Sequence, residues 1–423
     1  MPLLFLSLFF GVLAYYYRKK KLFFSVVMFY GIGSLWGFLM TLNDYYSLSL
    51  NFGYQSISYT ATLFLSVCCL ILFYPLMQID RKLIFSGMVD VCHLKNIAYI
   101  FIVLSIVYCI FIVPYISLSL NAIDFAAYKA EIMEEGGLDI SGGNIILSKL
   151  FSYQVQLRPF IIFLFFFSLV YVKGGRKMKI LLGLMTILPA LFSALASAHR
   201  NNLVYCIINY IVCYILFYEY FPRKVKRYVL LFISIVLGIV LFIVVYFAFL
   251  RFDDGGGAVI YSLLRYLGEP FVNFNTMLWG NEQYLLGNKS FPLIRDLLGL
   301  DYLDPSTIRE NTSYLRYVNY YFYGAIGNFY MDFGPLGTIC VCLLVSCFFY
   351  KIFVQKFKAN TLTRLLLLYL YATYTIQNYF YFQFMGSNNI NIFWMIIYLL
   401  VFRFYVEKGC SVFSSGRSFK RQV

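Results

Sequence analysis

The sequence predicts an all-α polytopic membrane protein of about eleven transmembrane helices (range 10–12), with one large external loop between the eighth and the ninth. Three observations carry this reading. Hydrophobic residues fill 61% of the 423 positions and charged residues only 13%, against roughly 45–50% and about 25% in soluble domains. The apolar residues come in runs near the ~20 residues that a helix needs to cross ~30 Å of hydrocarbon, without the alternation of a barrel strand. The Lys and Arg residues cluster at alternate gaps between those runs. A soluble enzyme and a porin are both excluded.

The spans fall at about 2–17, 22–42, 60–78, 97–117, 150–172, 180–198, 203–221, 228–250, 333–350, 365–384 and 390–407. The first is short enough to resemble a signal peptide, but Arg18, Lys19, Lys20 and Lys21 follow the apolar run where a cleavage site belongs, so it counts as a span. Basic clusters at 18–21, 81–95, 173–179, 223–227, 351–364 and 403–421 hold 24 Lys and Arg against four acids, a net of +20. The opposite face holds 10 basic and 15 acidic residues, a net of −5, and the two recover the formal +15. Positive charge marks the cytoplasmic side, so the N-terminus is expected outside and the C-terminus inside. Tyr15, Tyr16, Tyr17, Tyr45, Tyr46, Tyr320 and Tyr321 at span ends suit interfacial belts. The organisation is thus 1–250 with eight helices and an external loop at 118–149, a large external loop at 251–331, three helices within 332–408, and a basic tail at 409–423. No fixed-period repeat is visible. The stretch 261–279 is apolar enough for an interfacial helix.

The ten cysteines lie in or beside apolar runs with no CxxC pair near a histidine, which points to packing and to neither a disulfide framework nor a zinc site. The external face carries seven arginines (Arg158, Arg200, Arg251, Arg265, Arg295, Arg309, Arg316) against three lysines. Arginine offers a planar fork of donors that matches phosphate, so the set suggests an anionic ligand. Pairing with neighbouring acids, such as Arg251 with Asp253, is the plainer alternative for any one of them. Arg200 follows the small residues of Ser193-Ala-Leu-Ala-Ser-Ala-His199 in a hairpin of a few residues, where an ionisable group invites a functional reading. His199 has no nucleophile or metal-ligand partner at a usable spacing. Candidate bases are Asp253, Asp254, Glu269 and Asp332, since a carboxylate near the interface can be tuned by desolvation or by arginine. Asp253 and Asp254 lack the further acids or His that a metal site needs, so no metal is expected. The glycine triplet 255–257 and Asp332-Phe333-Gly334 are read as turns, since neither fits a P-loop or a kinase.

Three segments taken together resemble a known family. They are the small-residue turn ending in Arg200, the loop motif Arg265-Tyr-Leu-Gly-Glu-Pro-Phe-Val-Asn-Phe-Asn275, and the exit motif Gly327-Asn-Phe-Tyr-Met-Asp-Phe-Gly-Pro-Leu-Gly337 preceded by Asn311-Thr-Ser. They resemble the Wzy-type polymerases of oligosaccharide repeat units, the O-antigen and capsular polysaccharide polymerases of bacteria. The resemblance implies a multi-spanning, GT-C-like glycosyltransferase of the inner membrane that uses undecaprenyl diphosphate-linked oligosaccharides as donor and acceptor and releases undecaprenyl diphosphate on the periplasmic face. It implies no cofactor and no nucleic acid, and it suggests a chain-length regulator and a flippase as partners. Carried over by motif, Arg200 and Arg265 bind substrate diphosphate, with Arg251 and Arg316 beside them. Glu269 stands with Asp253 and Asp254 as the catalytic carboxylates, and Tyr330, Asp332 and Gly334 form a structural or substrate turn. His-Arg-Asn stands where relatives often carry a smaller turn, which bears on His199 alone. An O-antigen ligase of the same architecture, disfavoured because 251–331 lacks the histidine that resemblance would supply, and a transporter or flippase for lipid-linked sugars, disfavoured by the long loop, are the competing expectations.

Overall fold

The computed structural model describes residues 1–42, 56–79, 91–120, 145–172, 174–197, 201–251, 256–300, 322–356, 362–385 and 389–407. Among these residues the regular structure is helical: α1 Pro2–Tyr16, α2 Lys21–Thr41, α3 Tyr59–Gln78, α4 Val91–Leu120, α5 Ile145–Tyr171, α6 Arg176–Ser197, α7 Asn201–Phe217, α8 Arg223–Arg251, α9 Gly256–Asn273, α10 Pro292–Leu297, α11 Gly324–Tyr350, α12 Leu362–Gln377 and α13 Ile390–Val401. Wider π turns extend α9 over Phe274–Leu278, α11 over Lys351–Lys356 and α13 over Phe402–Glu407. A helix overlaps each of the eleven apolar runs, though α7 stops at Phe217 and α12 at Gln377, short of the expected ends. Five segments, Lys21–Thr41, Tyr59–Gln78, Leu94–Ser117, Arg176–Ala196 and Gly324–Phe353, are long and apolar enough to cross a membrane, which makes this a helical membrane protein. Lipid offers no partner for a backbone amide, so the helix is the form such runs must take.

Residues inside the helices obey the same constraint. The hydroxyls of Ser66, Ser105, Thr276, Thr338 and Thr375 each donate to the carbonyl four residues earlier, at 2.7–3.0 Å. That keeps polar atoms satisfied in apolar surroundings. Ser58 caps α3, its Oγ accepting from the Ala61 amide at 3.0 Å. Large apolar side chains remain exposed along single faces, such as Leu230, Leu231, Ile235 and Phe242 on α8 and Leu343, Leu344 and Phe348 on α11. A bilayer, not water, is the natural solvent for those faces.

The chain divides into two units. The first comprises Met1–Arg81, Phe252–Lys358 and Tyr371–Ile392. In it α1 packs along α2, α9 along α2 and α11 along α3. Its centre is a set of edge-on rings, with Tyr30 against Phe73 at 4.8 Å and Tyr379 at 5.0 Å, and Phe271 against Tyr379 at 5.2 Å. The Tyr30 hydroxyl donates to the Thr375 carbonyl at 2.9 Å, and that of Tyr379 to the Leu267 carbonyl at 2.5 Å. At the other end of α2 and α3, the Lys20 ammonium donates to the Met77 carbonyl. The second unit comprises Lys82–Arg251, Ala359–Leu370 and Phe393–Val423. There α4 packs on α6, α5 on α6 and α7, and α8 on α7, around Phe163, Phe166, Tyr210 and Phe217.

Candidate functional site

The loop motif forms the C-terminal half of α9. Gly268 of α9 meets Gly37 of α2 backbone to backbone: a Cβ on Gly268 would stand 2.7 Å from the Gly37 Cα. Two glycines therefore let α9 settle on the C-terminal half of a spanning helix, with the Phe271 ring 6.2 Å from Tyr30. The stretch 261–279, expected to form a helix, is helical over Gly256–Leu278, and its Gly268 side meets a glycine on α2. Beyond Asn273 the helix widens into the π turn, where Asn275 Oδ1 accepts from the Ser58 amide at 3.3 Å and the Thr62 hydroxyl at 3.4 Å, tying the segment to the first turn of α3.

That placement buries Glu269. Its Oε1 accepts from Asn273 Nδ2 at 3.0 Å and from Arg265 Nη2 at 3.3 Å, one helical turn on either side. The arginine side chain is 39% exposed and the glutamate 7%. Asn273 Nδ2 also donates to the Phe322 carbonyl at 2.9 Å, and the Phe322 amide contributes to the Glu269 carboxylate. Burial raises the Glu269 carboxyl above its ordinary value, while Arg265, Asn273 and Phe322 pull it back down in part. The arrangement is a carboxyl whose proton affinity is elevated, in contact with an arginine that reaches solvent.

The exit motif builds the neighbouring wall. Helix α11 begins at Gly324, nine residues before the expected span, so Tyr330 and Asp332 lie in its first turns and not in a loop. Gly334, at φ 67° and ψ −170°, breaks the helix, and Pro335 restarts it. Only glycine takes that conformation cheaply, and a Cβ there would lie 2.6 Å from the Tyr284 ring. In place of the turn expected at Asp332-Phe333-Gly334, the structure has a kink inside α11. Both Asp332 oxygens are engaged by backbone amides, Oδ1 by Lys289 at 3.1 Å and Oδ2 by Ser290 at 2.7 Å. The Leu285 and Leu286 amides donate to the Met331 and Asp332 carbonyls at 2.9 Å each, and the Gly280 amide to the Tyr330 hydroxyl at 3.2 Å. Leu286 itself sits at φ 51°, a left-handed conformation costly for leucine, in the turn that aims those amides. Asp332 and Tyr330 thus fold the 280–290 loop onto α11. Lys289 from that loop reaches the Tyr323 hydroxyl, its ammonium 4.6 Å from the ring centroid, next to the Phe322 that Asn273 and Glu269 hold. Hydrogen bonds join Arg265, Glu269, Asn273 and Phe322 in one set and Lys289, Tyr323 and Asp332 in another, and the adjacent residues Phe322 and Tyr323 place the two sets side by side as one polar network.

No family model, curated protein or solved structure matches the chain.

The network therefore rests on its own geometry. It joins Arg265 with Glu269 and brings Tyr330, Asp332 and Gly334 to the adjoining loop. Arg251 closes α8, and its side chain lies outside the described residues, as do Arg200, Asp253, Asp254 and Arg316 altogether. No group of three or more His, Cys, Asp or Glu able to hold a metal occurs among the described residues. Asn273 and Lys289 escaped the sequence reading. Asn273 is one of two asparagines in an apolar phrase, and its signal was the four-residue spacing from Glu269, which puts both on one helical face. Lys289 had no local signal, since it joins the network through a loop folded by Asp332, 43 residues away. In the second unit Arg158 is 4% exposed, a depth that its place in the sequence did not announce.

Proposed function

We propose that the chain is a glycosyltransferase that polymerises undecaprenyl diphosphate-linked oligosaccharide repeat units into O-antigen or capsular polysaccharide, working without a metal at the periplasmic face of a bacterial inner membrane. In this reading the eleven apolar helices all span, the N-terminus is periplasmic and the C-terminus cytoplasmic, and the build is GT-C-like. The observation that supports it most is the Arg265–Glu269 pair, a buried carboxylate in contact with a part-exposed arginine on a helix packed along the spanning helix α2. A sugar hydroxyl of the acceptor attacks the anomeric carbon of the donor glycan. The new C–O bond forms as the bond from that carbon to the diphosphate oxygen breaks, and Glu269 takes the hydroxyl proton, with Asp253 or Asp254 as the other carboxylates able to do so. The departing undecaprenyl diphosphate carries the charge, which Arg265 stabilises together with Arg200, Arg251 and Arg316. Tyr330, Asp332 and Gly334 shape the wall against which the sugars lie.

Purified protein in liposomes, given a lipid-linked repeat unit on the exposed face, tests the reading. A glycan ladder on a gel is the expected result, and transport of the intact lipid without a ladder rejects it in favour of a flippase. Orientation is tested in intact cells on a cysteine-free background: single cysteines at position 289 should react with an impermeant reagent and those at 176 should not, and the reverse pattern rejects the topology.

A further inference from the structure

Arg158 lies in the middle of α5, 4% exposed, and its Nε and Nη2 have no hydrogen-bond partner. Only Nη1 is engaged, donating to the Asn202 carbonyl at 3.3 Å and to its Oδ1 at 3.2 Å. Among the described residues no carboxylate stands within ion-pair distance of it. A buried cation left without a counter-charge destabilises a fold by several kcal/mol, and proteins normally pair such a group or omit it. Its surroundings are nonetheless polar and ordered. Asn202 Nδ2 donates to Ser193 Oγ at 2.7 Å, and the Tyr108 hydroxyl hydrogen-bonds with Ser193 and feels the Arg158 charge. Those groups converge from the end of α6, the first turn of α7 and the body of α4, where the small side chains of Ala194 and Ala196 are fully buried. This is an anion cradle in composition, hydroxyl and amide groups around a guanidinium with two donors to give.

We propose that Arg158 anchors a binding site, within the second unit, for the phosphate group of a membrane lipid. A guanidinium fork and a phosphate match in geometry, each can form two parallel charge-assisted bonds, and phosphate esters are the anions that a bilayer supplies in bulk. The rotatable stem lets the fork turn toward the ligand without shifting α5. Asn202 and Ser193 complete the shell. The site is read from binding alone and stands whether or not the chain polymerises glycans.

The full chain in detergent is titrated separately with phosphatidylglycerol vesicles, with a polyprenyl diphosphate and with inorganic pyrophosphate, and binding is followed by thermal unfolding and by native mass spectrometry. Saturable binding of at least one probe, weakened about ten- to hundred-fold in Arg158→Gln, is expected. Binding of the phospholipid alone identifies a headgroup site, binding of both diphosphates a site for the diphosphate itself. Asn202→Asp keeps Arg158 and offers it a carboxylate at the distance now held by the amide oxygen. That variant should unfold at a higher temperature and lose the ligand, which no disruption of folding can imitate. If Asn202→Asp and a folded Arg158→Gln both bind every probe like the wild type, or if no probe binds the wild type, the proposal is wrong.

Discussion

Two arginines on the same chain have solved the problem of a charge in apolar surroundings in opposite ways. Arg265 meets Glu269 at 3.3 Å on its own helix and keeps 39% of its side chain in solvent. Arg158 is 4% exposed and has an asparagine for company. The first pair is electrically neutral before any ligand arrives, so its contribution to catalysis has to come from redistributing charge as a reaction proceeds. The second is a standing positive charge, and what it needs is an occupant. One residue type, counted identically in the sequence, therefore serves two different electrostatic ends, and the deciding variable is the nearest carboxylate.

The largest effect should follow from neutralising the partner of the paired arginine. Glu269→Gln keeps an oxygen that can accept from Asn273 and from the Phe322 amide, so the packing of α9 should be kept and the thermal unfolding temperature should not fall below that of the wild type. Polymer formation should nevertheless fall by roughly 10²- to 10⁴-fold, the usual worth of a general base. A Gln variant that makes polymer at the wild-type rate would reduce the pair to a structural latch and move the search to Asp253 and Asp254. Next in size is Arg265. Arg265→Ala should abolish long chains at normal membrane abundance, and Arg265→Lys should lose about ten- to hundred-fold, because the ammonium keeps charge but not the fork. Arg200 should behave in the same way, whereas Arg309→Ala, away from the motifs, should leave most of the polymer. Lys variants at 200 and 265 that both polymerise normally would mean that neither arginine reads phosphate geometry.

The comparison also shows what a sequence can and cannot disclose in a protein of this kind. Helices were legible because a 20-residue apolar run has one acceptable backbone form in lipid, and each of the eleven runs overlaps a helix. Arg265 and Glu269 were singled out together by the loop motif alone, and their contact follows from a four-residue spacing, one turn of the helix they share. The start of α11 at Gly324 was not, since Gly324, Gly327 and Asn328 argue against a helix and only burial of Ile326, Phe329 and Met331 overrides them. Nor was the depth of Arg158. Its fate is set by Asn202 and Ser193, and their proximity to it depends on how three helices meet.

A third experiment probes what holds the paired site in place. Gly268→Val puts two methyl groups against the Gly37 backbone, where even a Cβ lies 2.7 Å from Cα. Backbone cannot rotate away as a side chain can, so overpacking should cost about 1–3 kcal/mol or more, read as a lower unfolding temperature in detergent. Gly37→Val should act alike, and the double variant should cost less than the sum, since both separate the same two helices. Full additivity would show that the two glycines are not each other's reason.

The smallest effect is the most informative about the pair, because it isolates the influence of Arg265 on Glu269. Desolvation raises the Glu269 carboxyl, and Arg265 is the largest of the influences that lower it again. A general base acts only when ionised, so polymerisation should fall as pH drops through an acid limb set above the ordinary carboxylate range, and Glu269→Gln should remove that limb from whatever activity remains. Arg265→Gln takes away the chief stabiliser of the ionised form, so its residual activity should show the limb displaced to still higher pH. Stability runs the other way. The folded protein holds this proton more tightly than the unfolded chain does, so the contribution of Glu269 is complete below the unfolded carboxylate pKa and is lost as pH rises through the folded one. Thermal unfolding of wild type and Glu269→Gln across that window should therefore converge at low pH and part as pH rises, with the wild type the less stable at the upper end by an amount that grows in the Arg265→Gln background. An Arg265→Gln limb that stays where the wild type has it would mean that the ion pair at 3.3 Å is a contact without electrostatic consequence.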